Sequence, residues 1–314
     1  MCSGTNAVKT VVLGAGVQGT LYGVRLALAG HAVTLIARGR RAAELRKRGA
    51  IIEHAFSGER QVMTLAVTEA LDAHIEADLC LVTVRREQLE EVLPALRSAQ
   101  GLGRVLIMVN HACGSAQLFA ALGRERTVLG FPGAAGGLEN GVDRYVDVRE
   151  QPTVIEATAP DIARLFREAG FRVSVVGDVD SWLLRHAVFV TAVCGALYEV
   201  GGDARRLAAE RARLRTVIEA IREGWAALDR LGTAAPPLAL RAIFRWVPLP
   251  LGVRYWARLF ASPQGEYYFA WHARRAPGEM AALAADIRTV VPGVAMPHWE
   301  RLCAAIVAAA ATAP

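Results

Sequence analysis

Lysine is nearly absent from this chain of 314 residues, because Lys9 and Lys47 are the only two. Arginine therefore supplies almost all of the positive charge behind the formal net charge of +6. A basic chain can bind nucleic acid, but here no run of basic residues is interleaved with aromatic residues in a recognisable binding module. We therefore expect no nucleic-acid partner, and an anionic small molecule accounts for part of the arginine excess.

Cysteine and long hydrophobic runs are also scarce. The five cysteines are odd in number and form no Cys-x-x-Cys pair, which excludes zinc-type spacing and a disulfide framework and is typical of the reducing cytosol. The residues up to Ala7 are polar, unlike a signal peptide. The apolar stretches at 187–197 and 304–311 fall short of the roughly 20 residues that a membrane span requires. These absences predict a soluble cytoplasmic protein with no metal site and no membrane partner.

The order of strand-like and helix-like segments predicts an α/β fold with two domains, the number expected for this length. Over the first half, short β-branched runs alternate with amphipathic helical stretches, a pattern typical of a parallel sheet with crossover helices. Strands are predicted at residues 8–13, 32–36, 61–67, 79–84, 105–109, 127–130, 153–156 and 171–176, and helices at residues 19–29, 42–48, 88–96 and 161–169.

From residue 181 onward, strand-like runs give way to long helical patterns. Helices are predicted at residues 182–200, 204–231, 278–290 and 298–311. The interval 233–260 is expected to be irregular, because prolines at this density interrupt a continuous helix. We therefore expect an N-terminal Rossmann domain with a parallel sheet at residues 1–179, and a C-terminal all-α domain for substrate binding and dimerisation at residues 180–314.

The segment Gly14-Ala15-Gly16-Val17-Gln18-Gly19 has the glycine spacing of a dinucleotide-binding turn. It follows an apolar strand, opens a helix, and lies within a strand–helix–strand unit of about 30 residues, the context that this motif requires. Gly14 permits the tight turn, Gly16 lets the backbone approach a pyrophosphate, and Gly19 lets helix and strand pack closely. The helix N-terminus adds N–H donors and a positive dipole end. All six residues are therefore predicted to bind a dinucleotide.

The end of the second strand predicts which dinucleotide is bound. An NAD site places Asp or Glu there to accept hydrogen bonds from the ribose 2′-hydroxyl. This chain instead has Ala37-Arg38-Gly39-Arg40-Arg41, which contains no acid. Since a guanidinium pairs well with a 2′-phosphate, the sequence predicts NADP, with Arg38 as the phosphate partner. Of Arg40 and Arg41, one is expected only to solvate the start of a helix.

Three motifs carry a resemblance to a known family over nearly the whole chain. The glycine turn continues to Ala37-Arg38-Gly39, the segment Thr83-Val84-Arg85-Arg86-Glu87-Gln88 follows a predicted strand, and Met108-Val109-Asn110-His111 ends the next one. Together with the helical second domain, they resemble the ketopantoate reductase family, which has Thr-Val-Lys-x-x-Gln and Gln-Asn-Gly at the latter two places. The resemblance implies NADPH-dependent reduction of a 2-keto acid, with Arg85 and Asn110 at the cofactor site.

Several positions depart from the pattern of this family. The family has a lysine near the start of the long helix, which binds the substrate and polarises its carbonyl, and asparagines one and two turns later. These align with His186, Val190 and Cys194. No lysine follows Lys47, so the acid of the family is missing under any alignment. The glutamate with which the family holds substrate hydroxyls best matches Glu279.

The substituted residues support a catalytic hypothesis. Hydride addition to a carbonyl develops negative charge on the oxygen, so a proton donor or a fixed cation must face that atom. Histidine titrates near neutrality, whereas arginine stays charged and binds carboxylates. We therefore expect His186 to donate a proton and Glu279 to orient the substrate, while Arg185 or Arg85 would hold an anionic group. The alternative is an interior histidine, and since adjacent helical residues point about 100° apart, at most one of Arg185 and His186 faces the site.

Two functions remain open. The intact glycine turn favours an NADPH-dependent reductase of a 2-keto acid or related carbonyl, and the apolar Val190 and Cys194 indicate a more apolar substrate than ketopantoate. The missing lysine and asparagines favour a relative that has lost the redox step and acts as a cyclase, isomerase or small-molecule binder. The expected partners are a small-molecule substrate and a second copy of the chain. Residues that either line the site or simply pack are Cys113, His111, and the helically spaced Glu266, Tyr267, Tyr268, Trp271 and His272.

Overall fold

The computed structural model describes residues 7–234 and 238–312, which divide into two compact units. The first unit holds the chain up to Val109 together with Ser115–Val179, and the second holds Asn110–Gly114 and the chain from Asp180 onward. The division falls between residues 179 and 180, and of the preceding chain only the segment Asn110–Gly114 is grouped with the second unit.

The first unit alternates strands and helices. Its strands are β1 Lys9–Leu13, β2 Ala32–Ile36, β3 Ala50–His54, β4 Arg60–Met63, β5 Ala66–Thr68, β6 Ala77–Val82, β7 Leu102–Ile107, β8 Thr127–Phe131, β9 Ala134–Glu139, β10 Val142–Asp147, β11 Thr153–Glu156 and β12 Val173–Val176. Its helices are α1 Val17–Leu28, α2 Gly39–Arg48, α3 Leu89–Ser98, α4 Ala116–Leu122 and α5 Pro160–Glu168, with a 3-10 turn at Arg86–Gln88.

An eight-stranded sheet forms the centre of this unit, in the order β12-β11-β8-β7-β6-β1-β2-β5. Neighbouring strands are parallel except β8 and β11, which are antiparallel. Strands covered on both faces are expected to be apolar throughout, and β1 is buried at every residue after Lys9. Tyr22 of α1 packs on Phe166 of α5 with ring centroids 5.3 Å apart. The predicted α/β fold with a parallel Rossmann sheet is confirmed.

A second sheet, in the order β4-β3-β10-β9, is absent from the sequence-based prediction. The single strand expected at 61–67 is wrong, because this segment forms β4 of the second sheet and β5 of the first. In β9, the backbone of Gly136 lies so close to the Arg144 carbonyl of β10 that a Cβ would overlap it. Glycine is required by this pairing yet lowers strand propensity, so the pattern of residues conceals the strand.

The second unit is helical. Its helices are α6 Val179–Glu199, α7 Ala204–Ala209, α8 Arg211–Arg230, α9 Leu238–Arg245, α10 Leu249–Ala261, α11 Pro263–Gly265, α12 Trp271–Ala273, α13 Pro277–Val290 and α14 Pro297–Thr312, with a π-helical turn at Glu266–Ala270. One helix expected at 204–231 is wrong, because the chain breaks at Glu210, where ψ is 73°.

The irregular structure expected at 233–260 is also wrong, since α9 and α10 occupy most of it. Pro248 is the N-cap residue of α10 and Pro250 lies in its first turn, where the missing backbone N–H costs no helical hydrogen bond. Pro236 and Pro237 lie outside the described residues. The density of prolines therefore marks the beginning of a helix here rather than its absence.

Helix α6 lies in the core of the second unit. By length and mean hydropathy, 1.3 over its most apolar window, it could cross a membrane, which corrects the expectation that no stretch is long enough. However, 78% of that window is buried inside the protein. Within the core, the Trp299 Nε1 donates to the Thr191 Oγ1 at 3.0 Å. This burial is typical of a core helix that is apolar on most sides.

Candidate active site

The glycine turn of the first unit leaves space open next to its backbone. Gly14 has a φ of +110°, which favours glycine, and a Cβ there would lie 3.0 Å from the Thr83 backbone. A Cβ on Gly19 would lie 2.6 Å from the Thr83 Oγ1 and would overlap the Gly14 carbonyl. A Cβ on Gly16, in contrast, would meet nothing within 4 Å among the described residues. Packing therefore requires Gly14 and Gly19, whereas Gly16 keeps an accessible surface free of a side chain.

The N-terminus of α1 has the properties of an anion site. Gly16 is its N-cap residue, no described side chain caps it, and its first turn contains no acidic residue. The first N–H groups of a helix have no partner within the helix, and the helix dipole is positive at this end. Thr83 holds the turn, because its Oγ1 donates to the Gly14 carbonyl at 2.8 Å. Gln18 donates from its side-chain amide to the Ala134 carbonyl at 2.6 Å, so this side chain is bonded to β9.

The three arginines after β2 have different environments. Arg38 is the N-cap residue of α2, and its exposed side chain has no hydrogen-bond or ion-pair partner among the described residues. Arg40 is 91% exposed and makes only a helix-surface ion pair, at 3.6 Å. Arg41 donates from Nε to a carbonyl of the glycine turn at 3.0 Å and forms an ion pair with Asp143. Arg38 is thus accessible to a phosphate, Arg40 solvates the helix start, and Arg41 supports the turn.

An acid that the sequence analysis missed lies at the same edge of the sheet. Glu69 follows β5, the strand next to β2, and accepts a hydrogen bond from Arg46 of α2 at 2.8 Å. That hydrogen bond and the charge of Arg46 lower the pKa of Glu69, so the carboxylate is ionised and its charge is compensated. It was missed because the acid of an NAD site is expected directly after the second strand.

The other predicted cofactor residues are Arg85 and Asn110. The Arg85 backbone N–H donates to the Gln88 Oε1 at 3.1 Å, which explains their spacing in the motif. The Arg85 side chain is exposed, with its Nη1 3.9 Å from the Glu87 carboxylate. Asn110 is buried in the second unit, and its Oδ1 has no hydrogen-bond partner among the described residues. Because a buried polar atom without a partner is costly, this oxygen is suited to accept a hydrogen bond from a ligand.

Arg185 is used inside the second unit. Its buried guanidinium donates to the Ala234 carbonyl at 2.6 Å and to the Thr233 carbonyl at 3.1 Å. It also pairs with the Asp229 carboxylate at 2.8 Å. These bonds tie the start of α6 to the C-terminal end of α8. The geometry therefore favours a structural function for Arg185 over the expected contact with a substrate anion.

His186 lies in an environment that keeps it neutral. Its ring stacks on Trp182 with centroids 5.1 Å apart and planes inclined by 6°. Burial, and to a smaller extent the charge of His272, lowers the pKa of His186 to about 3. A neutral imidazole can donate a hydrogen bond but is a poor proton donor near neutral pH. This environment therefore does not favour the expected general acid at His186.

A polar cluster lies on and next to α6. Cys194 and Tyr198 are one turn apart on the same side of the helix, and His186 precedes Cys194 by about two turns. Glu279, buried in the first turn of α13, lies with its Oε2 3.5 Å from the His272 Nε2. Burial and then the charge of Glu279 raise the pKa of Cys194, and burial, Cys194 and Glu279 raise the pKa of Tyr198. We call these five residues the α6 cluster.

The structure brings two of the three predicted catalytic residues into this cluster. His186 and Glu279 belong to it, whereas Arg185 does not. His272, which contacts Glu279, was predicted only as one of the helically spaced residues between 266 and 272 that either line the site or pack. Because α12 ends at Ala273 and α13 begins anew at Pro277, the spacing between His272 and Glu279 carries no helical signal for their contact.

The fold and the glycine turn define an α/β protein of the Rossmann type with an added helical unit. Residues 10–158 match the family described as ketopantoate reductase PanE/ApbA. The 2-dehydropantoate 2-reductase of Archaeoglobus fulgidus is 26% identical over 199 residues, which cover 59% of this chain and 64% of that relative. The enzyme of the same name from Pyrococcus horikoshii is 25% identical over 236 residues, covering 69% and 72%. The match thus spans less than two thirds of the first relative. Over residues 10–158 the chain is thus similar to the ketopantoate reductase family, as its motifs predict, and the resemblance is confirmed.

Solved structures share this fold over 96–98% of the chain. A ketopantoate reductase from Ralstonia solanacearum MolK2 superposes with a TM-score of 0.78 at 18% identity, covering 98% of this chain and 99% of the other. A PanE/ApbA family ketopantoate reductase from Ralstonia eutropha JMP134 gives 0.75 at 21% identity, covering 96% and 98%. A D-mandelate dehydrogenase with NADH and anilino(oxo)acetate gives 0.69 at 15% identity, covering 96% and 97%.

Proposed function

We propose that this chain is an NADPH-dependent reductase that converts a 2-keto acid or a related carbonyl compound to the alcohol. The observation that carries the proposal is the glycine turn, where Gly16 leaves the start of α1 open while Arg38 is exposed at the end of β2. These groups have the chemistry that a pyrophosphate and a 2′-phosphate require. The names of the two curated relatives support the reaction.

The catalytic chemistry needs a proton and a donor to the carbonyl oxygen. Bound NADPH would supply the hydride, and addition of hydride and one proton to the carbonyl yields the alcohol and the oxidised cofactor. We assign the proton to His272, because the Glu279 carboxylate 3.5 Å from its Nε2 orients the ring and compensates its positive charge. His186, which stays neutral in the same cluster, can donate a hydrogen bond to the developing oxyanion.

The remaining assignments concern anionic and apolar groups. Since Arg185 is bonded within the second unit, we assign to Arg85 the contact with an anionic group of the cofactor or the substrate. Val190 and Cys194 replace the asparagines of the family on the face of α6 that carries His186. We therefore propose a substrate with a more apolar side chain than ketopantoate. The anilino(oxo)acetate bound to D-mandelate dehydrogenase supports the inclusion of aromatic compounds among the candidates.

The test is calorimetry followed by a turnover assay on the full chain. We expect heat of binding with NADPH and weaker binding of NADH. NADPH oxidation, followed by the absorbance of the reduced nicotinamide, is then measured with 2-keto acids whose side chains range from short aliphatic to aromatic. We expect turnover with at least one apolar member. If neither cofactor gives heat of binding, the proposal is refuted.

A second function is favoured by the α6 face itself. The absence of lysine after Lys47, together with Val190 and Cys194, fits a relative that binds the cofactor or a small molecule but performs no redox step. In that case NADPH binds tightly and no 2-keto acid of the panel oxidises it. NMR would then show conversion of a substrate to an isomer of equal mass, the result expected of a cyclase or isomerase.

We also propose a cytoplasmic location and a dimer. The scarcity of cysteine supports a location in the cytoplasm. Contact between two copies through the helical unit is proposed as well, and sedimentation velocity of the purified chain tests it. A single species with the mass of one chain at all concentrations would exclude it.

A further inference from the structure

Arg41 links the glycine turn to the second sheet. From the first turn of α2, its guanidinium donates from Nε to the Ala15 carbonyl and from Nη2 to the Thr20 Oγ1, both at 3.0 Å. The same Nη2 bonds to the Asp143 carboxylate of β10. The side chain of Arg41 is largely removed from water, with 15% exposed. One guanidinium thus contacts the turn, the first turns of α1 and an acid from another sheet.

The position of Asp143 is determined by the second sheet. It pairs with Ile52 of β3 on one side and with Leu138 of β9 on the other, so its backbone is held from both directions. The side chain is 1% exposed. The next residue, Arg144, points to the opposite face of the strand and pairs there with two glutamates. Asp143 is therefore a buried acid whose one cationic partner among the described residues is Arg41.

The contact with Ala15 determines the direction of a neighbouring N–H group. In a trans peptide the C=O and the N–H point in opposite directions. Because Arg41 holds the Ala15 carbonyl, the N–H of Gly16 in the same peptide group points away from Arg41. Gly16 is the residue at which a Cβ would meet nothing within 4 Å, so its surroundings are open.

We propose that Arg41 and Asp143 position the Ala15–Gly16 peptide for the pyrophosphate of the cofactor, Arg41 by direct contact and Asp143 by holding Arg41. The inference rests on the proposed function of the turn as an NADPH site. It assigns Arg41 to a part of the cofactor that NADPH and NADH share, whereas Arg38 recognises the 2′-phosphate that only NADPH carries. Loss of either member of the pair therefore lowers the affinity for both cofactors by the same factor, about tenfold.

The pair also predicts a dependence on pH. The groups that face Asp143 are Arg41 and Glu44 of α2 and Thr20 of α1. Burial raises the pKa of Asp143 to about 6, although Arg41 and the Thr20 hydrogen bond lower it. As the pH falls through about 6, the carboxyl gains a proton, Arg41 loses its anionic partner, and cofactor affinity falls. NADH is the probe for this effect, because the 2′-phosphate of NADPH itself titrates near pH 6.

The experiment compares two variants with two matched controls. Arg41→Ala and Asp143→Asn remove the members of the pair. Arg40→Ala removes an exposed arginine from the same helix, and Asp147→Asn removes an acid of the same strand that pairs instead with Arg25 at 2.8 Å. Calorimetry gives Kd for NADPH and for NADH, and thermal unfolding confirms that each variant is folded. We expect about tenfold higher Kd for both cofactors in the two variants, with an unchanged ratio, and no change in the controls.

Each other outcome overturns the proposal. A changed ratio of the two Kd values in Arg41→Ala would mean that Arg41 recognises the 2′-phosphate. Unchanged Kd values in a folded Arg41→Ala or Asp143→Asn would mean that the pair has no influence on the turn. Should Asp143→Asn fail to fold, the NADH titration of the unmodified chain across about pH 5 to 7.5 decides, and a flat profile overturns the inference. If the unmodified chain binds neither cofactor, the proposed function itself fails and the inference falls with it.

Discussion

A glycine-to-alanine substitution should have different effects at two positions of the glycine turn. Gly19→Ala should lower stability, whereas Gly16→Ala should weaken cofactor binding. In Gly19→Ala the new methyl would lie 2.6 Å from the Thr83 Oγ1 and 2.9 Å from the Val12 Cγ1, and it would overlap the Gly14 carbonyl. Because a backbone carbonyl cannot yield without moving the turn, the cost lies at the upper end of the overpacking range, about 3 kcal/mol. For a unit of this size, the melting temperature should fall by roughly 6–12 °C.

Gly16→Ala should leave folding nearly unchanged. Its φ of −77° is open to alanine, and the new methyl meets nothing within 4 Å among the described residues. Alanine is a weaker N-cap residue than glycine, so a loss of about 1 kcal/mol at most is expected. The methyl would, however, occupy the space beside the first N–H groups of α1. Loss of one hydrogen bond to the charged pyrophosphate raises the Kd for NADPH roughly ten- to hundredfold.

Both effects are measured on the same preparations. Scanning calorimetry gives the melting temperature and titration calorimetry gives Kd for NADPH. Gly177→Ala is the matched control, because a Cβ at this residue of the first unit also meets nothing within 4 Å. A folded Gly16→Ala protein that binds NADPH as tightly as the unmodified chain would show that the pyrophosphate does not bind at this turn. An unchanged melting temperature in Gly19→Ala would refute the packing argument.

Four other outcomes are expected. Arg38→Ala should raise the Kd for NADPH about tenfold in calorimetry and leave the Kd for NADH unchanged. An equal rise of both Kd values would contradict the assignment of Arg38 to the 2′-phosphate. Arg185→Ala should lower the free energy of unfolding by about 3 kcal/mol in denaturant titrations and leave cofactor affinity unchanged. This value is at the low end for the loss of a buried pair, because the Asp229 carboxylate is half-exposed. His272→Ala and Glu279→Gln should each lower kcat about hundredfold. His186→Asn should lower kcat much less, because asparagine keeps a hydrogen-bond donor. Full turnover in His272→Ala would exclude His272 as the acid. Since the pKa of His186 falls from 6.5 to about 3 on folding, the unfolded chain binds the proton first, so the free energy of unfolding should decrease as the pH is lowered from 6.5 toward 3. His186→Leu should flatten that decrease in titrations at stepped pH.

The glycine turn could be predicted from the sequence because its determinants are local. Gly14, Gly16 and Gly19 lie within six residues, and their function follows from the strand before them and the helix after them. The exposure of Arg38 follows in the same way from its place between β2 and α2. The parallel pairing of most strands in the large sheet likewise follows from the alternation of short strands and helices, whereas the order of the strands and the antiparallel pairing of β8 and β11 were not predicted.

The support of the turn could not be predicted, because it depends on contacts between distant segments. Arg41 and Asp143 are 102 residues apart, and Asp143 reaches the turn only through a second sheet whose strand β9 contains two glycines. In the same way, Arg185 is neutralised by Asp229 from another helix, 44 residues later. Neither partner is specified by a motif. Local spacing therefore predicts which groups can bind a ligand, but not which of them the fold already uses.

The unequal surroundings of the arginines after β2 limit how coenzyme preference can be redesigned. Replacing Arg38, Arg40 and Arg41 together in order to favour NADH would also remove the contacts of Arg41 with the turn. The binding of NADH itself would then become weaker. Arg38 and Arg40 are exposed and can be replaced without disturbing the turn, and of these two only Arg38 is assigned to the 2′-phosphate. A carboxylate introduced at Arg38, with Arg41 retained, is the smallest change that we expect to shift selectivity toward NADH while the support of the turn stays intact.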